Sequence, residues 1–129
     1  MNVKKWNELK NGELNFERIC CLYSADKNIQ IEKKPPFIRA FTINEENTRF
    51  EIRWNKHRAD TKFPGERYCV SDYFILNGKC EITIDKSIFT LQKGDWLEIP
   101  ICKYYLTVIG TEELESVAVY KLSKGFSVF

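Results

Sequence analysis

Two stretches of the sequence decide the fold: residues 73–82, which read YFILNGKCEI, and residues 91–100, which read LQKGDWLEIP. In each stretch, runs of aromatic and aliphatic residues flank a polar turn that contains a glycine. Glycine adopts positive φ angles without steric cost, and Asn77-Gly78 is typical of a type I′ hairpin turn. Both stretches therefore predict a strand, a tight turn and a second strand.

Short strands extend in both directions from these stretches. Residues 48–54 read TRFEIRW, in which charged and apolar side chains alternate. A period of two over this length is typical of a strand. Further strands are predicted at residues 37–43, 68–76, 80–84, 87–91, 96–99, 104–109 and 114–122. Many short strands at this spacing indicate a sandwich or a barrel. Residues 1–28 are mixed, and Trp6, Leu9 and Leu14 there fit a short helix or an edge strand.

The chain as a whole has 129 residues, which predicts one domain at residues 1–129 with its barrel at about 37–122. Lys and Arg number 20 and Asp and Glu number 18, so no dense basic patch favours nucleic-acid binding. No run approaches the ~20 apolar residues of a membrane span, and no signal peptide is visible. Five cysteines without a CxxC pair indicate reduced thiols. We expect a soluble, cytoplasmic protein without nucleic-acid or membrane partners.

The two opening stretches, in this order inside a run of short strands, resemble the two motifs of the cupin superfamily. The resemblance covers roughly residues 48–122 and is to the small single-domain, RmlC-like β-barrels. It implies an all-β fold, a double-stranded β-helix or jelly-roll barrel, with a short N-terminal extension. It also implies a homodimer, since cupin domains commonly pair through their sheets.

The same resemblance implies where a metal ion would be held. Metal-dependent cupins place two histidines and a carboxylate on the first motif and a histidine on the second. Those positions fall here at Pro64, Glu66, Ser71 and Tyr105, and the chain's one histidine, His57, lies outside both motifs. Histidine is the expected ligand for transition metals, so one carboxylate and one phenol predict no metal site and no cofactor.

Candidate binding residues follow from alternation along the strand that contains Ser71. If Ser71 faces a cavity, Tyr73 and Ile75 face it too, while Phe74 and Leu76 point away. The residues expected to bind a small-molecule ligand are Tyr73, Ser71, Arg53, Trp96 and Cys102. Aromatic rings line ligand pockets and fill barrels equally well.

Three residues are candidates for acid–base catalysis: Tyr105, His57 and Glu66. His57 lies in a predicted loop, and its ordinary pKa near ~6.5 suits proton transfer. Glu66 would act as a base if it were partly desolvated. Tyr105 would need a strongly perturbed pKa to act as a proton donor, and otherwise lines the pocket.

The face occupied by Arg49, Glu51 and Arg53 stays open at this stage. On a solvent face they would form cross-strand ion pairs. Facing inward, the two guanidinium groups would suit a carboxylate or a phosphate, which arginine binds bidentately.

The sequence favours metal-independent binding of a small molecule and leaves catalysis open. Three functions remain. The barrel could be an acid–base enzyme, such as an isomerase, epimerase, cyclase or lyase. It could bind a ligand without turning it over. It could also be an interaction module whose outer sheet, with Phe74 and Leu76, forms a dimer or docks a partner.

Overall fold

The computed structural model describes residues 1–25, 29–34 and 37–122, with the backbone alone at residues 30, 32–34 and 37. Two short helices precede most of the strands. In chain order the elements are β1 (Lys4–Lys5), α1 (Glu8–Asn11), α2 (Phe16–Leu22), β2 (Gln30–Lys34), β3 (Phe37–Ile43), β4 (Arg49–His57), β5 (Lys62–Arg67), β6 (Ser71–Asn77), β7 (Lys79–Ile84), β8 (Ser87–Gln92), β9 (Asp95–Ile99), β10 (Cys102–Ile109) and β11 (Leu114–Leu122). Neither helix offers the length or the apolar content that crossing a bilayer would take.

The strands form two antiparallel sheets, which confirms the predicted all-β architecture. The larger sheet has the order β1-β9-β6-β11-β4-β3-β2, and the smaller one β5-β10-β7-β8. The chain passes from one sheet to the other after β4, β5, β6, β8, β9 and β10, as in a jelly roll. The two sheets are not closed on each other by hydrogen bonds. Strands β2 and β5 were not among the elements expected from the sequence, nor was β1.

The turn at Asn77-Gly78 differs from the predicted type I′ hairpin. Strands β6 and β7 lie in different sheets, so this turn carries the chain across the barrel. Gly78 has a φ of 81°, whereas Asn77 keeps a negative φ. A Cβ atom at Gly78 would lie 2.6 Å from the carbonyl oxygen of Glu113, so glycine is required by close packing as well as by φ.

The outer face of the larger sheet is covered by the N-terminal segment. Helix α2 begins after Asn15, whose side-chain oxygen accepts a hydrogen bond from the Arg18 backbone N–H at 2.8 Å. Its buried residues Phe16 and Ile19 join an outer cluster on this face of the sheet. The members of the outer cluster are Trp6, Phe16, Ile19, Cys20, Ala40, Phe50, Ile52, Phe74, Val117 and Val119.

This cover corrects the predicted partner surface. Phe74 is only 1% exposed, its ring meets the Trp6 ring edge-on at 5.8 Å between centroids, and it stacks on Trp96. The face that Phe74 was expected to offer a partner is therefore occupied by the chain's own N-terminus. A homodimer stays a prediction and would need another surface.

An inner cluster lies between the two sheets. Ser71, Tyr73 and Ile75 face inward from β6, as alternation predicts, and each is at most 4% exposed. Most of the inner cluster is aliphatic. Its members are Cys69, Tyr73, Ile75, Cys80, Ile82, Ile84, Leu91, Leu97, Ile99, Leu106, Val108, Leu114, Ala118 and Tyr120. The space between the two sheets around Tyr73 is thus filled with side chains.

Candidate ligand-binding site

Strand β4 settles the face that the sequence left open. Phe50 and Ile52 belong to the outer cluster, so the residues between them point between the sheets. Glu51 pairs with Tyr120 of β11 and Arg53 pairs with Ala118, and both of these partners belong to the inner cluster. Glu51 is fully buried. Arg49, Glu51 and Arg53 therefore share the inward face of β4, with Arg49 exposed at the start of the strand.

Glu51 lies between two arginines. Its Oε2 atom accepts a hydrogen bond from the Nε of Arg53 at 3.2 Å, and its Oε1 lies 4.0 Å from Nη1 of Arg39. Arg39 is the register partner of Arg53 on β3, and the two arginine side chains are 23% and 18% exposed. A buried carboxylate needs such partners because the desolvation of an unpaired charge is costly.

Arg67, at the end of β5, lies between two tyrosine rings. Its guanidinium carbon lies 4.8 Å from the centre of the Tyr104 ring and 5.1 Å from that of Tyr120. Its Nε donates to Ser71 Oγ at 3.2 Å, and its Nη1 donates to the Tyr104 hydroxyl at 2.8 Å. Among the residues that the structure describes, no carboxylate forms an ion pair with Arg67. We call this set the arginine layer: Arg39, Glu51, Arg53, Arg67, Tyr104 and Tyr120.

Gly65 sets the position of Tyr104. The two residues are register partners on β5 and β10. A Cβ atom at Gly65 would lie 2.1 Å from Cζ of Tyr104, far inside contact distance. The absent side chain therefore leaves the space in which the Tyr104 ring lies beside Arg67.

A cleft of about 410 Å³ adjoins the arginine layer at this end of the barrel. Cys69 belongs both to the cleft and to the inner cluster. Burial raises the pKa of the Cys69 thiol, and the positive charge of Arg67 opposes this shift. We call this the end cleft; it is lined by Thr48, Tyr68, Cys69, Val70, Ile101, Lys121 and Leu122.

The structure corrects the predicted positions of Tyr105 and Glu66. Tyr105 is 44% exposed and points away from the interior. Its neighbours on the strand face inward: Leu106 belongs to the inner cluster, and Tyr104 packs against it. Glu66 is also exposed, and its carboxylate accepts a hydrogen bond from the Tyr68 hydroxyl at 2.9 Å. The side chains that face inward at these places are those of Tyr104 and Arg67.

His57 is the last residue of β4, not a loop residue as predicted. It lies six residues along the strand from Glu51, which corresponds to about 20 Å. Its ring centre lies 4.9 Å from that of Phe63, and burial lowers the pKa of the imidazole. His57 is therefore remote from the arginine layer.

The remaining predicted binding residues lie in three places: outside the barrel, at the inner cluster and at the arginine layer. Trp96 lies outside the barrel, stacked on Phe74 with the Lys4 ammonium 4.6 Å above its ring, so its expected place in the cavity is wrong. Cys102 packs against the inner cluster, where burial raises the pKa of its thiol and Arg67 opposes the shift. Arg53 is a member of the arginine layer, and Ser71 accepts a hydrogen bond from Arg67 of that layer. Tyr73 is buried in the inner cluster, and burial raises the pKa of its phenol.

The residues of this site do not fit a metal ion. Glu66 and Tyr105, at two of the metal positions of the cupin motifs, point to solvent. The inward position next to Glu66, at the end of β5, carries the cationic Arg67, which would repel a metal. Within residues 1–25, 29–34 and 37–122, no group of three His, Cys, Asp or Glu residues is arranged to hold a metal.

Comparison with solved structures confirms the predicted cupin fold. The chain matches the cupin domain of Cnp3 from Schizosaccharomyces pombe with a TM-score of 0.55 and 19% identity, over 75% of this chain and 71% of that chain. It matches a Cupin 2 conserved barrel domain protein from Salinispora arenicola with a TM-score of 0.54 and 18% identity, over 74% of this chain and 76% of that chain. It also matches a mutant of the Bacillus subtilis oxalate decarboxylase OxdC with a TM-score of 0.52 and 14% identity, over 71% of this chain and 27% of that chain. No family model and no curated protein matches the chain.

Proposed function

We propose that this chain binds a small carboxylate at the arginine layer, without a metal ion. The observation that carries the proposal is the state of Arg67. Its guanidinium group is partly buried between two tyrosine rings, and no carboxylate of the described residues pairs with it.

The energetics of Arg67 favour an anionic ligand. Removing a cation from water is costly unless an opposite charge or hydrogen bonds replace the lost hydration. Two cation–π contacts offset part of that cost, each at about 0.5–2 kcal/mol. A carboxylate would supply the missing counter-charge, and the planar guanidinium group matches its two oxygens.

Hydrogen-bond donors are available to such a ligand. The Tyr104 hydroxyl accepts a hydrogen bond from Arg67, so its own proton can be donated elsewhere. The Nη2 atom of Arg67 makes no hydrogen bond to any residue in the described part of the chain. One carboxylate could thus accept from Nη2 and from the Tyr104 hydroxyl together.

A binding function is better supported than acid–base catalysis. The three predicted catalytic residues, Tyr105, His57 and Glu66, do not meet at one site, because two face solvent and the third lies about 20 Å along β4 from Glu51. One protein of the same fold, oxalate decarboxylase, acts by its name on oxalate, which is itself a carboxylate. That similarity is one of fold, and it is compatible with the proposed ligand class.

Thermal-shift assays and calorimetry with oxalate, succinate, benzoate and phosphate test the proposal. A ligand at 100 times its Kd should stabilise the protein by about 2.7 kcal/mol. We expect Arg67→Met to weaken carboxylate binding by about 10- to 100-fold, the value of a charge-assisted hydrogen-bonded pair. Arg58→Met is the matched control, because Arg58 is exposed in the β4–β5 turn.

The proposal fails if none of the carboxylates stabilises the protein, or if Arg67→Met binds them as well as Arg58→Met does. Mass spectrometry of the released ligand separates binding from turnover. Recovery of the unchanged carboxylate agrees with a binding function, and recovery of a converted product would show an enzyme.

A further inference from the structure

We infer that the ligand is a monocarboxylate with an apolar body, whose carboxylate pairs with Arg67 while its body lies in the end cleft. This inference rests on the proposed function and narrows its ligand class. Its basis is that the end cleft, which is largely apolar, adjoins the arginine layer.

Two connections join the arginine layer to the end cleft. Cys69, which lines the cleft, follows Arg67 by two residues and is close enough for the charge of Arg67 to affect its thiol. Leu122, which also lines the cleft, follows Tyr120 by two residues on the same face of β11, a step of about 7 Å. A ligand held by Arg67 would therefore extend into the cleft.

The end cleft has the size and surface of a site for a small organic molecule. Its volume of about 410 Å³ is within the usual range of roughly 300–1,000 Å³ for ligand sites. Tyr68 and Ile101 at its rim are 60% and 69% exposed. Large apolar side chains grouped at an exposed concave surface are typical of sites that an apolar ligand covers.

The largely apolar lining of the end cleft favours one carboxylate over two, because a second carboxylate would lose its hydration there. Among the residues that the structure describes, the cleft lining includes no acidic side chain, and Lys121 is its one charged residue. Lys121 belongs to the opposite face of β11 from Tyr120 and is exposed, so water already solvates its ammonium group. Cys69, Val70 and Leu122 give the cleft an apolar lining against which methylene or aryl groups would pack.

Calorimetry with acetate, butanoate, hexanoate and octanoate measures the contribution of the ligand's apolar body. Each methylene that enters the cleft should tighten binding about fourfold, the value of burying one CH₂ group, until the cleft is filled. Adipate is the matched ligand for hexanoate, because it has the same carbon chain with a second carboxylate. We expect hexanoate to bind at least tenfold more tightly than adipate.

Two surface variants test where the apolar body lies. Ile101→Ser and Tyr68→Ser should each reduce the gain per methylene while leaving acetate binding unchanged. Ile88→Ser is the control, since Ile88 is 63% exposed on β8 and is not a lining residue of the cleft. All three positions are exposed, so the variants should fold as the parent chain does.

The outcomes separate this inference from the proposed function. Affinity that depends on Arg67 but not on chain length, or adipate that binds as tightly as hexanoate, would overturn the inference and leave carboxylate binding intact. Equal chain-length dependence in Ile101→Ser, Tyr68→Ser and Ile88→Ser would place the apolar body elsewhere and overturn it too. If no carboxylate binds through Arg67, both fall.

Discussion

Both faces of strand β4 are buried, but the outer face carries apolar side chains and the inner face carries charged ones. On the outer face Trp54 stacks on Phe16 of helix α2, with 5.2 Å between ring centres, and Ile52 is fully buried beside them. On the inner face Glu51 and Arg53 form an ion pair. The comparison teaches that Trp6 and helix α2 give this sheet a second apolar core outside the barrel. The inner face can then carry charges that would otherwise weaken the only core of a small domain.

The largest expected effect lies on the outer face. Phe16→Ala removes a fully buried ring from the outer cluster and should lower the free energy of unfolding by about 3–5 kcal/mol. Leu9→Ala is the control, because Leu9 is fully exposed on α1 and should change stability by less than about 0.5 kcal/mol. Urea denaturation measures both. If Phe16→Ala were as stable as Leu9→Ala, helix α2 would not be supporting the sheet.

On the inner face, stability and binding should move in opposite directions. Glu51→Gln removes the buried carboxylate that two arginines face, and should lower the free energy of unfolding by about 1–3 kcal/mol. The same change removes a negative charge close to the proposed ligand, so carboxylate affinity should rise roughly threefold to tenfold. Glu66→Gln, on the solvent side of β5, should alter neither quantity. Weaker carboxylate binding by Glu51→Gln would argue against an anion site.

A smaller effect distinguishes neighbouring tyrosines on β10. Tyr104→Phe removes the hydroxyl that accepts from Arg67, and should weaken carboxylate binding by about 1 kcal/mol, or roughly fivefold. Tyr105→Phe changes a side chain that points away from the interior, so its affinity should equal that of the parent protein. Calorimetry on the pair tests the strand register directly, and a loss confined to Tyr105→Phe would reverse our assignment.

The smallest effect concerns how the N-terminal segment is held to β6. The Tyr23 hydroxyl donates a hydrogen bond to Asp72, and burial raises the pKa of this carboxyl above its ordinary value of 3.8. The stability contributed by this group is therefore fully present below pH 3.8 and is lost as the pH rises through the higher folded-state pKa. Asp72→Asn should remove that part of the pH dependence, whereas Asp85→Asn, in an exposed turn, should keep it. Denaturation curves between about pH 4 and pH 7 measure the difference, and parallel curves for all three proteins would contradict it.

Alternation and turn chemistry predicted most of the strands, and the resemblance of residues 73–82 and 91–100 to the two cupin motifs predicted the cupin fold. Gly94 takes a φ of 93° between β8 and β9, where residues 91–100 predict a tight turn, and the hairpin between β3 and β4 forms around Asn44. Alternation assigns residues to two faces, but it does not say which face lies inside. On β4 the apolar residues lie outside because helix α2 covers them, and a local pattern cannot report a contact with residues so distant in sequence.

The predicted position of Tyr105 was wrong for a reason that lies within its own strand. Counting along the second motif ignores the strand's own alternation, in which Tyr105 shares a face with Lys103 and Thr107. Two polar neighbours on one face were a signal that this face meets solvent. Arg67 and Gly65 were missed because β5 contains Pro64 and Gly65 and has too few apolar residues to be read as a strand.

A crystal structure of the protein with 4-bromobenzoate is the most direct test of the carboxylate site. We predict carboxylate oxygens about 2.7–3.0 Å from Arg67 nitrogens, as charge-assisted hydrogen bonds require, and an anomalous bromine peak in the end cleft. Ligand density elsewhere on the protein, with Arg67 still bonded to Ser71 and Tyr104 alone, would contradict the account.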